Sequence, residues 1–260
     1  MSVRDGFKVL THDYRPPVQG GSPVWDGKRK TLDKVTLDTG PDECAAGWNY
    51  CANAETALRI AGLWPDGRPS VLLRVRGSAD AVERGDKRRC SRLTIVAVCD
   101  EDEVRAAVRH LSEPFGEHRE RMVGSQMNWR QALRRPVRDE ALVAAGLEAA
   151  LSARGLDWKL CRYDDPRAAR AARDARDAWD AWDAWDARAA WDAWAAWAAR
   201  DAWDARDARA ALTVEYAALQ QWTRHDPLLL TTGLQDAYRN GLAIAMPTGP
   251  SELGWAMIDA

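Results

Sequence analysis

The sequence predicts an α+β N-terminal domain followed by a helical C-terminal half that contains one long, regular repeat. Short runs of β-branched and aliphatic residues, typical of strands, lie before residue 100. Helical spacing of apolar residues follows from residue 117 onward. Residues 167–214 repeat every three residues. We therefore divide the chain into an α+β domain (1–112), a helical connector (113–166), a triplet-repeat helix (167–214) and a C-terminal helical segment (215–260).

The N-terminal domain carries three candidate strands and two candidate helices. The strands are rich in Val, Leu and Ile. The first helix stops at the turn signal Trp64-Pro65-Asp66-Gly67. The second opens with acidic residues, which suit the positive end of a helix dipole. In chain order the elements are strand 35–39, helix 54–63, strand 71–75, strand 93–98 and helix 100–111.

The remainder of the chain is predicted to be helical. Apolar spacing indicates helices over 117–134 and 138–153. Asp164-Asp165-Pro166 is typical of a helix start, with an acid before a first-turn proline, and the repeat follows at once. After the repeat, the helix continues to residue 222. A second apolar helix is predicted over 228–245 with a break at Gly233, and 253–258 forms a short apolar tail.

Composition sets further expectations. The net charge of −2 implies no strongly charged partner. Arg outnumbers Lys 31 to 6, which indicates a high-GC bacterium or its phage. The sequence contains no apolar run of membrane-spanning length and no hydrophobic signal core, so we expect a cytoplasmic protein. The five cysteines include no CxxC pair and are interpreted as reduced thiols.

The repeat keeps its phase from residue 167 to residue 214. Each triplet reads Arg or Trp, then Asp or Ala, then Ala, until the last, Leu212-Thr213-Val214. Seven of the fourteen tryptophans lie in it. Duplication of coding DNA would preserve the phase by itself, but drift would also introduce Gly, Val, Pro, Thr and Ser. Because such residues occur only in the last triplet, we infer that the side chains are constrained.

The conformation of the repeat has two candidate solutions. Ala is the best helix former, and neither Gly nor Pro interrupts the run, so we predict an α-helix. In an α-helix a period of three drifts by about 60° per triplet, and no continuous apolar stripe forms. A 3-10 helix would align the triplets on fixed edges, although long 3-10 helices are uncommon. The 3-10 helix is kept as the alternative.

The side chains of the repeat predict an interaction element. Indole and guanidinium groups dominate interface energies, and tryptophans three residues apart can stack on a helix. Adjacent Arg and Trp side chains add cation–π contacts of about 0.5–1 kcal/mol. We therefore predict a non-catalytic structural or protein-interaction protein whose repeat mediates packing within the chain or self-association, so the partner is a second copy or another protein. The predicted interaction residues are Trp179, Trp182, Trp185, Trp191, Trp194, Trp197, Trp203, Arg176, Arg188 and Arg200.

Other functional classes have less support. Eight Arg in the repeat are matched by nine Asp, which would repel phosphates, so nucleic-acid binding is a lesser alternative. A membrane-surface helix would need an amphipathic face, and no membrane partner is expected. The chain has no phosphate-loop, dinucleotide, zinc-ligand or nucleophile-elbow motif, so we predict no catalytic residue, no metal site and no cofactor. Lys87-Arg88-Arg89 is expected to form a solvated turn.

Gly47-Trp48-Asn49-Tyr50-Cys51, followed by a helix and a strand, resembles an uncharacterised domain of phage and bacterial proteins. That family shows Gly-aromatic-His-x-Cys before a short helix and a strand, and Ala-rich repeats often follow. The resemblance covers about residues 7–100 and implies no known activity. Asn49 stands where the family has His, so chemistry that requires an imidazole is not expected. Gly47, Trp48, Asn49 and Cys51 form a motif of unknown role, with Cys51 expected in the core.

The Gly-aromatic motif before a helix is also similar to the split-sheet ADP-ribosyltransferases. That resemblance implies a catalytic Glu late in the domain, and Glu83 and Glu101 are the nearest candidates. The alternative function is therefore an ADP-ribosyltransferase-like enzyme or toxin in which the repeat serves as scaffold.

Overall fold

The computed structural model describes residues 4–42, 45–135, 137–153, 155–177 and 227–258. The chain divides into two units, Met1–Met127 and Asn128–Ala260. The first unit combines helices with an antiparallel sheet, so the predicted α+β class of the N-terminal domain is confirmed. Residues 178–226, which include the tryptophans of the repeat, lie outside the described part of the chain.

The first unit is built on a six-stranded sheet. Its strands are β1 (Asp5–Leu10), β2 (Trp48–Cys51), β3 (Val71–Gly77), β4 (Val82–Arg84), β5 (Lys87–Cys90) and β6 (Leu93–Val98). They lie in the order β4-β5-β2-β1-β3-β6, and all neighbours are antiparallel. Two α-helices, α1 (Ala54–Ala61) and α2 (Glu101–Leu111), and a 3-10 helix (Glu113–His118) complete it.

Local sequence explains these elements. In β3, Leu73 and Val75 are completely buried while Arg74 between them is exposed, which is the alternation that a half-buried strand requires. Helix α2 begins with a capping box. Its Asp100 Oδ1 accepts from the Glu103 amide at 2.9 Å, and Glu103 Oε2 accepts from the Asp100 amide at 3.1 Å. The predictions for 54–63, 71–75, 93–98 and 100–111 are confirmed, with small differences at the ends.

The strand predicted over 35–39 is wrong. The segment has no regular secondary structure, and its backbone bonds to other segments are isolated ones: Val35 N donates to Ser91 O and Asp38 N to Ala46 O, each at 2.9 Å. A strand needs a continuous ladder of such bonds with one neighbour. The segment therefore joins the loop that leads to β2.

The second unit places helices around a three-stranded sheet. Helix α3 (Arg119–Ala132) spans the division between the units. It is followed by α4 (Glu140–Ala153), β7 (Lys159–Arg162), α5 (Pro166–Asp177), α6 (Pro227–Arg239), β8 (Leu242–Gly249) and β9 (Glu252–Met257). Strand β9 is central, with β7 parallel and β8 antiparallel to it. The helices predicted over 117–134 and 138–153 correspond to α3 and α4.

The helix predicted over 228–245 is wrong beyond Arg239, and Gly233 does not break it. The chain leaves α6 at Asn240 and Gly241, whose positive φ of 101° suits a glycine. The apolar residues that follow, and the predicted tail 253–258, pair as the β8–β9 hairpin. A short apolar run is compatible with a buried strand and with a buried helix. Its periodicity therefore could not distinguish the two structures.

Helix α5 contains the first residues of the triplet repeat. Asp165 caps it by accepting from the Arg167 and Ala168 amides at 2.6 and 2.9 Å, as the Asp-Pro start predicted. Ala169 is completely buried against Ile244, Met246 and Ala256 of the sheet. The repeat thus begins as an α-helix, and a third-position alanine allows close packing. None of the helices in the described ranges is long and apolar enough to cross a membrane.

Candidate functional sites

The motif Gly47–Cys51 is held in place by a buried arginine. Arg89 of β5 is fully buried, and its guanidinium donates to Gly40 O and Asp42 O, both at 3.0 Å. Gly47 has φ of 136°, and a Cβ there would lie 2.6 Å from Cγ of Arg89. A side chain at position 47 would therefore clash with Arg89 as well as strain the backbone. The glycine of the motif has a structural role.

The predicted solvated turn at Lys87-Arg88-Arg89 is wrong, because these residues form β5. The turn is formed by the two residues before them, Gly85 and Asp86, and Gly85 has φ of 60°. Arg88 is only 9% exposed, and its Nε donates to Glu83 Oε1 at 2.9 Å. The burial of two guanidiniums is possible because carbonyl and carboxylate oxygens accept their hydrogen bonds.

Trp48 and Asn49 make local contacts around this loop. The Trp48 indole nitrogen donates to Asp33 O at 2.8 Å. The Asn49 amide nitrogen faces Ala45 O and Gly47 O at 3.4 Å each, and its buried Oδ1 accepts from no group in the described part of the chain.

A small pocket that is partly open to solvent lies beside the motif, between β1, β2, α1 and residues 17–19. Its volume is about 90 Å³. Cys51 lines it and is 6% exposed, and burial raises the pKa of its thiol to about 11, so the expected core thiol is not an activated nucleophile. The other lining residues include Lys8, Val9, Ala57, Ile60 and Lys87.

Lys8 is the functional candidate that sequence reasoning missed. Its ammonium donates to the backbone carbonyl of Asn49 at 2.8 Å and lies 5.6 Å from the centroid of the Trp48 ring. The residue is partly buried. The resulting desolvation lowers the pKa of Lys8 to about 8. Nothing in the neighbouring sequence distinguishes this lysine from a surface one.

The two glutamates proposed from the transferase resemblance lie apart from this cavity. Glu83 is on β4 and forms an ion pair with Arg88 at 2.9 Å. Glu101 begins α2, where a carboxylate suits the helix dipole. Neither residue lines the cavity next to the motif.

A second polar cluster joins two loops of the first unit. His12 Nδ1 lies 2.5 Å from Asp66 Oδ2, and one ligand atom from each of His12, Asp13 and Asp66 lies within 4.8 Å of the others. Asp13 is already engaged, because Thr11 Oγ1 donates to it at 2.6 Å and Arg15 Nε lies 2.6 Å away. We interpret the cluster as an ion-pair connection between the loops.

In the second unit, α4 and α6 cross at two glycines. A Cβ on Gly146 would lie 2.6 Å from Gly233 O, and a Cβ on Gly233 would lie 2.6 Å from Gly146 O. Ala150 and Ala237, four residues after each glycine, continue the contact. Asp139 N donates to Asn240 O at 2.9 Å, so the helices run antiparallel. Both helices therefore carry two small residues four positions apart, a spacing that lets helix backbones approach closely.

An open groove runs along this pair of helices. It has a volume of about 540 Å³ and is lined by one face of α4 and by the end of α6. Its rim is apolar, since Leu142 is 49% exposed and Ala145 and Ala149 are also exposed. Among the described lining residues, Asp236 is the only charged one. The groove is therefore suited to apolar groups rather than to phosphates.

The predicted interaction residues are almost all outside the described ranges. Arg176 belongs to the last turn of α5. Arg188, Arg200 and the seven tryptophans of the repeat lie in 178–226. Comparison with known proteins adds no assignment, since no family model, curated protein or solved structure matches the chain. The resemblance of Gly47–Cys51 to the phage and bacterial domain stays a prediction.

Proposed function

We propose that this chain is a non-catalytic interaction protein of the cytoplasm whose tryptophan triplets pack into the α4–α6 groove of the same chain. The observation that carries the proposal is the exposed apolar face of α4, which lies beside the first turn of α6. The composition of α4, the direction of α6 and the low charge of the groove support it.

Helix α4 is apolar on nearly every side. Its inner face buries Val143, Gly146 and Leu147, while Leu142, Ala145 and Ala149 form an exposed outer face. A helix that is apolar all round is normally covered on more than one side. The sequence of α4 therefore favours a further layer over its outer face.

The first turn of α6 lies at one end of this groove. Gly146 opposes Gly233 in an antiparallel pair, so the same register places the first turn of α6 beside the last turn of α4. Residues 178–226 connect α5 to the start of α6 at Pro227. The chain consequently enters α6 beside the end of the groove that Ser152 and Ala153 line.

The groove and the indole side chain are complementary in size and polarity. Its volume of about 540 Å³ exceeds several-fold the ~150 Å³ cavity that holds benzene. Burial of one indole removes about 150–250 Å² from water and stabilises the complex by about 4–6 kcal/mol. Two or three rings would therefore contribute about 8–18 kcal/mol, which offsets the ordering of only a short stretch of chain at about 1–2 kcal/mol per residue.

The experiment introduces a charge on the groove rim. Ala149→Arg should expose tryptophans of the repeat, seen as a red shift of emission and faster acrylamide quenching. Glu148→Arg is the matched control, because it places the same side chain one residue away at a position that does not line the groove. Replacement of Trp182, Trp185, Trp191 and Trp194 by Ala should remove the difference between the two variants.

Light scattering and fluorescence decide between the possible occupants. We expect Ala149→Arg to have the same molecular mass in solution as wild type, together with the emission shift. A wild-type dimer that this substitution converts to monomer would overturn the intrachain proposal and assign the groove to a second copy. Equal fluorescence of Ala149→Arg and Glu148→Arg would show that the tryptophans do not occupy the groove.

A further inference from the structure

The second unit is completed by its last described residues, 227–258, which we call the C-terminal module. The module consists of α6, β8 and β9. Strand β9 pairs with β7, and β7 has no other strand neighbour in the described part of the chain. Gly233 of α6 crosses Gly146 of α4, and Ala169 of α5 packs against β8 and β9. Helix α4, strand β7 and helix α5 therefore form a surface, here called the receiving surface, that the module covers.

The link between α5 and the module carries no sequence signal for a chain reversal. This link, residues 178–226, contains no Gly, Asn or Pro. Helices commonly end at Gly or Asn, and sharp kinks in helices usually occur at Pro or Gly. Pro227, which begins α6, is the first of these residue types after α5. The sequence therefore predicts that the helix that begins as α5 continues without a break to residue 222.

An unbroken helix of this length and a module bound to its own unit exclude each other. At 1.5 Å per residue, the helix from residue 177 to residue 222 is about 68 Å long. Residues 223–226 can reach back by at most about 17 Å, so the module begins at least about 50 Å from the end of α5. The second unit has about 80 described residues, and a compact body of that size is about 30 Å across. The module would thus lie beyond the receiving surface of its own chain.

We infer that two copies of this chain exchange their C-terminal modules, so that the module of each copy covers the receiving surface of the other. The pairing of β7 with β9 and the crossing of Gly146 with Gly233 are the same as those within one chain, and only the chain that supplies the module changes. Exchange of an identical element is a low-cost route to a two-fold symmetric dimer for this reason. The α4–α6 groove keeps its lining residues, so its occupancy by tryptophans is tested independently of the exchange.

A disulfide between β7 and β9 distinguishes exchange from closure within one chain. Lys159 and Glu252 are register partners on these strands, and neighbouring strands lie about 4.8 Å apart, within the range that a disulfide can bridge. Lys159→Cys/Glu252→Cys is oxidised at low protein concentration and separated on a denaturing gel without reductant. We expect a covalent dimer of twice the 28.9 kDa chain mass. A cross-linked band at the mass of one chain would overturn the inference.

The single variants Lys159→Cys and Glu252→Cys are the controls. Each lacks one member of the pair and should give no covalent dimer alone. After the two variants are unfolded together and refolded, a covalent heterodimer should appear, because exchange brings β7 of one chain beside β9 of the other. A mixture that stays at the mass of one chain would contradict the exchange.

Complementation separates exchange from ordinary association of closed chains. Gly146→Leu and Gly233→Leu should each disrupt the crossing, because a Cβ alone would lie 2.6 Å from the facing carbonyl oxygen. In an exchanged heterodimer of the two variants, one interface combines an unaltered α4 with an unaltered α6. The refolded mixture should therefore show an unfolding transition at the urea midpoint of wild type that neither variant shows alone. Absence of that transition, or a wild-type mass of one chain in light scattering, would refute the exchange.

Discussion

Gly146→Ala provides a sharp test of the α4–α6 crossing, because the expected change has the opposite sign to the ordinary effect of this substitution. In a helix interior, Ala is more favourable than Gly by about 1 kcal/mol. At Gly146 the added Cβ would lie 2.6 Å from Gly233 O and 2.8 Å from Ala237 N. Both atoms belong to the backbone and cannot rotate away.

The size of the effect follows from the separation that relieves the clash. Raising the 2.6 Å contact to an ordinary distance of 3.4 Å moves the helices apart by about 0.8 Å. A gap of that size loses about a quarter to a half of the dispersion energy of each separated atom pair. Overpacking of this kind costs up to about 3 kcal/mol. The higher helix propensity of Ala offsets about 1 kcal/mol of this, so we expect a net destabilisation of about 2 kcal/mol.

Gly124→Ala in α3 is the matched control. A Cβ at Gly124 meets nothing within 4 Å, so this substitution should stabilise the protein by about 0.5–1 kcal/mol. The assay is urea unfolding followed by circular dichroism, with hydrogen exchange of the α4 amides to report on the second unit. The double variant Gly146→Ala/Gly233→Ala should lose less stability than the sum of the two single variants, because a single movement of the helices apart relieves both clashes. A midpoint for Gly146→Ala equal to or above wild type would refute the close crossing.

Two further predictions concern the first unit. In the folded protein the pKa of Lys8 is lowered from 10.5 to about 8. Between pH 8 and pH 10.5, Lys8 is therefore protonated in the unfolded chain and largely neutral in the folded protein. The free energy of unfolding consequently rises with pH in this range. Relative to Lys8→Met, wild type should gain about 3 kcal/mol from pH 8 to pH 10.5 in urea unfolding, and a constant difference would contradict the burial of the ammonium. Asp100→Ala should destabilise the protein by about 1 kcal/mol, because it removes the capping box of α2. The control is Asp102→Ala, which removes a carboxylate from the first turn of the same helix and should change stability less. Equal destabilisation by the two substitutions would contradict the role of Asp100 as the cap.

The parts of the fold that the sequence could predict are those determined by local interactions. Strand β6 occupies the predicted residues 93–98, and α2 begins after the residue whose carboxylate caps it. The start of α5 was predicted from Asp165 and Pro166 for the same reason. In each case the residues that decide the structure are within a few positions of one another.

The parts that could not be predicted depend on distant partners. Strand β7 pairs with β9 about ninety residues later, so its four residues carry no sufficient signal of their own. Arg89 was expected in solvent because its neighbours are charged, yet Gly40 and Asp42 carbonyls allow its burial. Lys8 is functionally distinctive only because β2 folds against β1. The candidate cavity was therefore not predictable, and strand β2 beside it, which the motif residues form, was not predicted as a strand either.

The α-helical start of the repeat bears on how its tryptophans could use the groove. An α geometry carried through the repeat would rotate the cluster Trp191–Trp194–Trp197 by about 120° from the cluster Trp179–Trp182–Trp185, because the clusters are twelve residues apart. The same geometry would separate the two clusters by about 18 Å along the helix axis. This separation is nearly the ~21 Å length of the fourteen-residue α4. One groove would then accept one cluster, and the other would face a different surface. On this argument, packing within the chain and association between chains are compatible functions of the same repeat, served by different tryptophans.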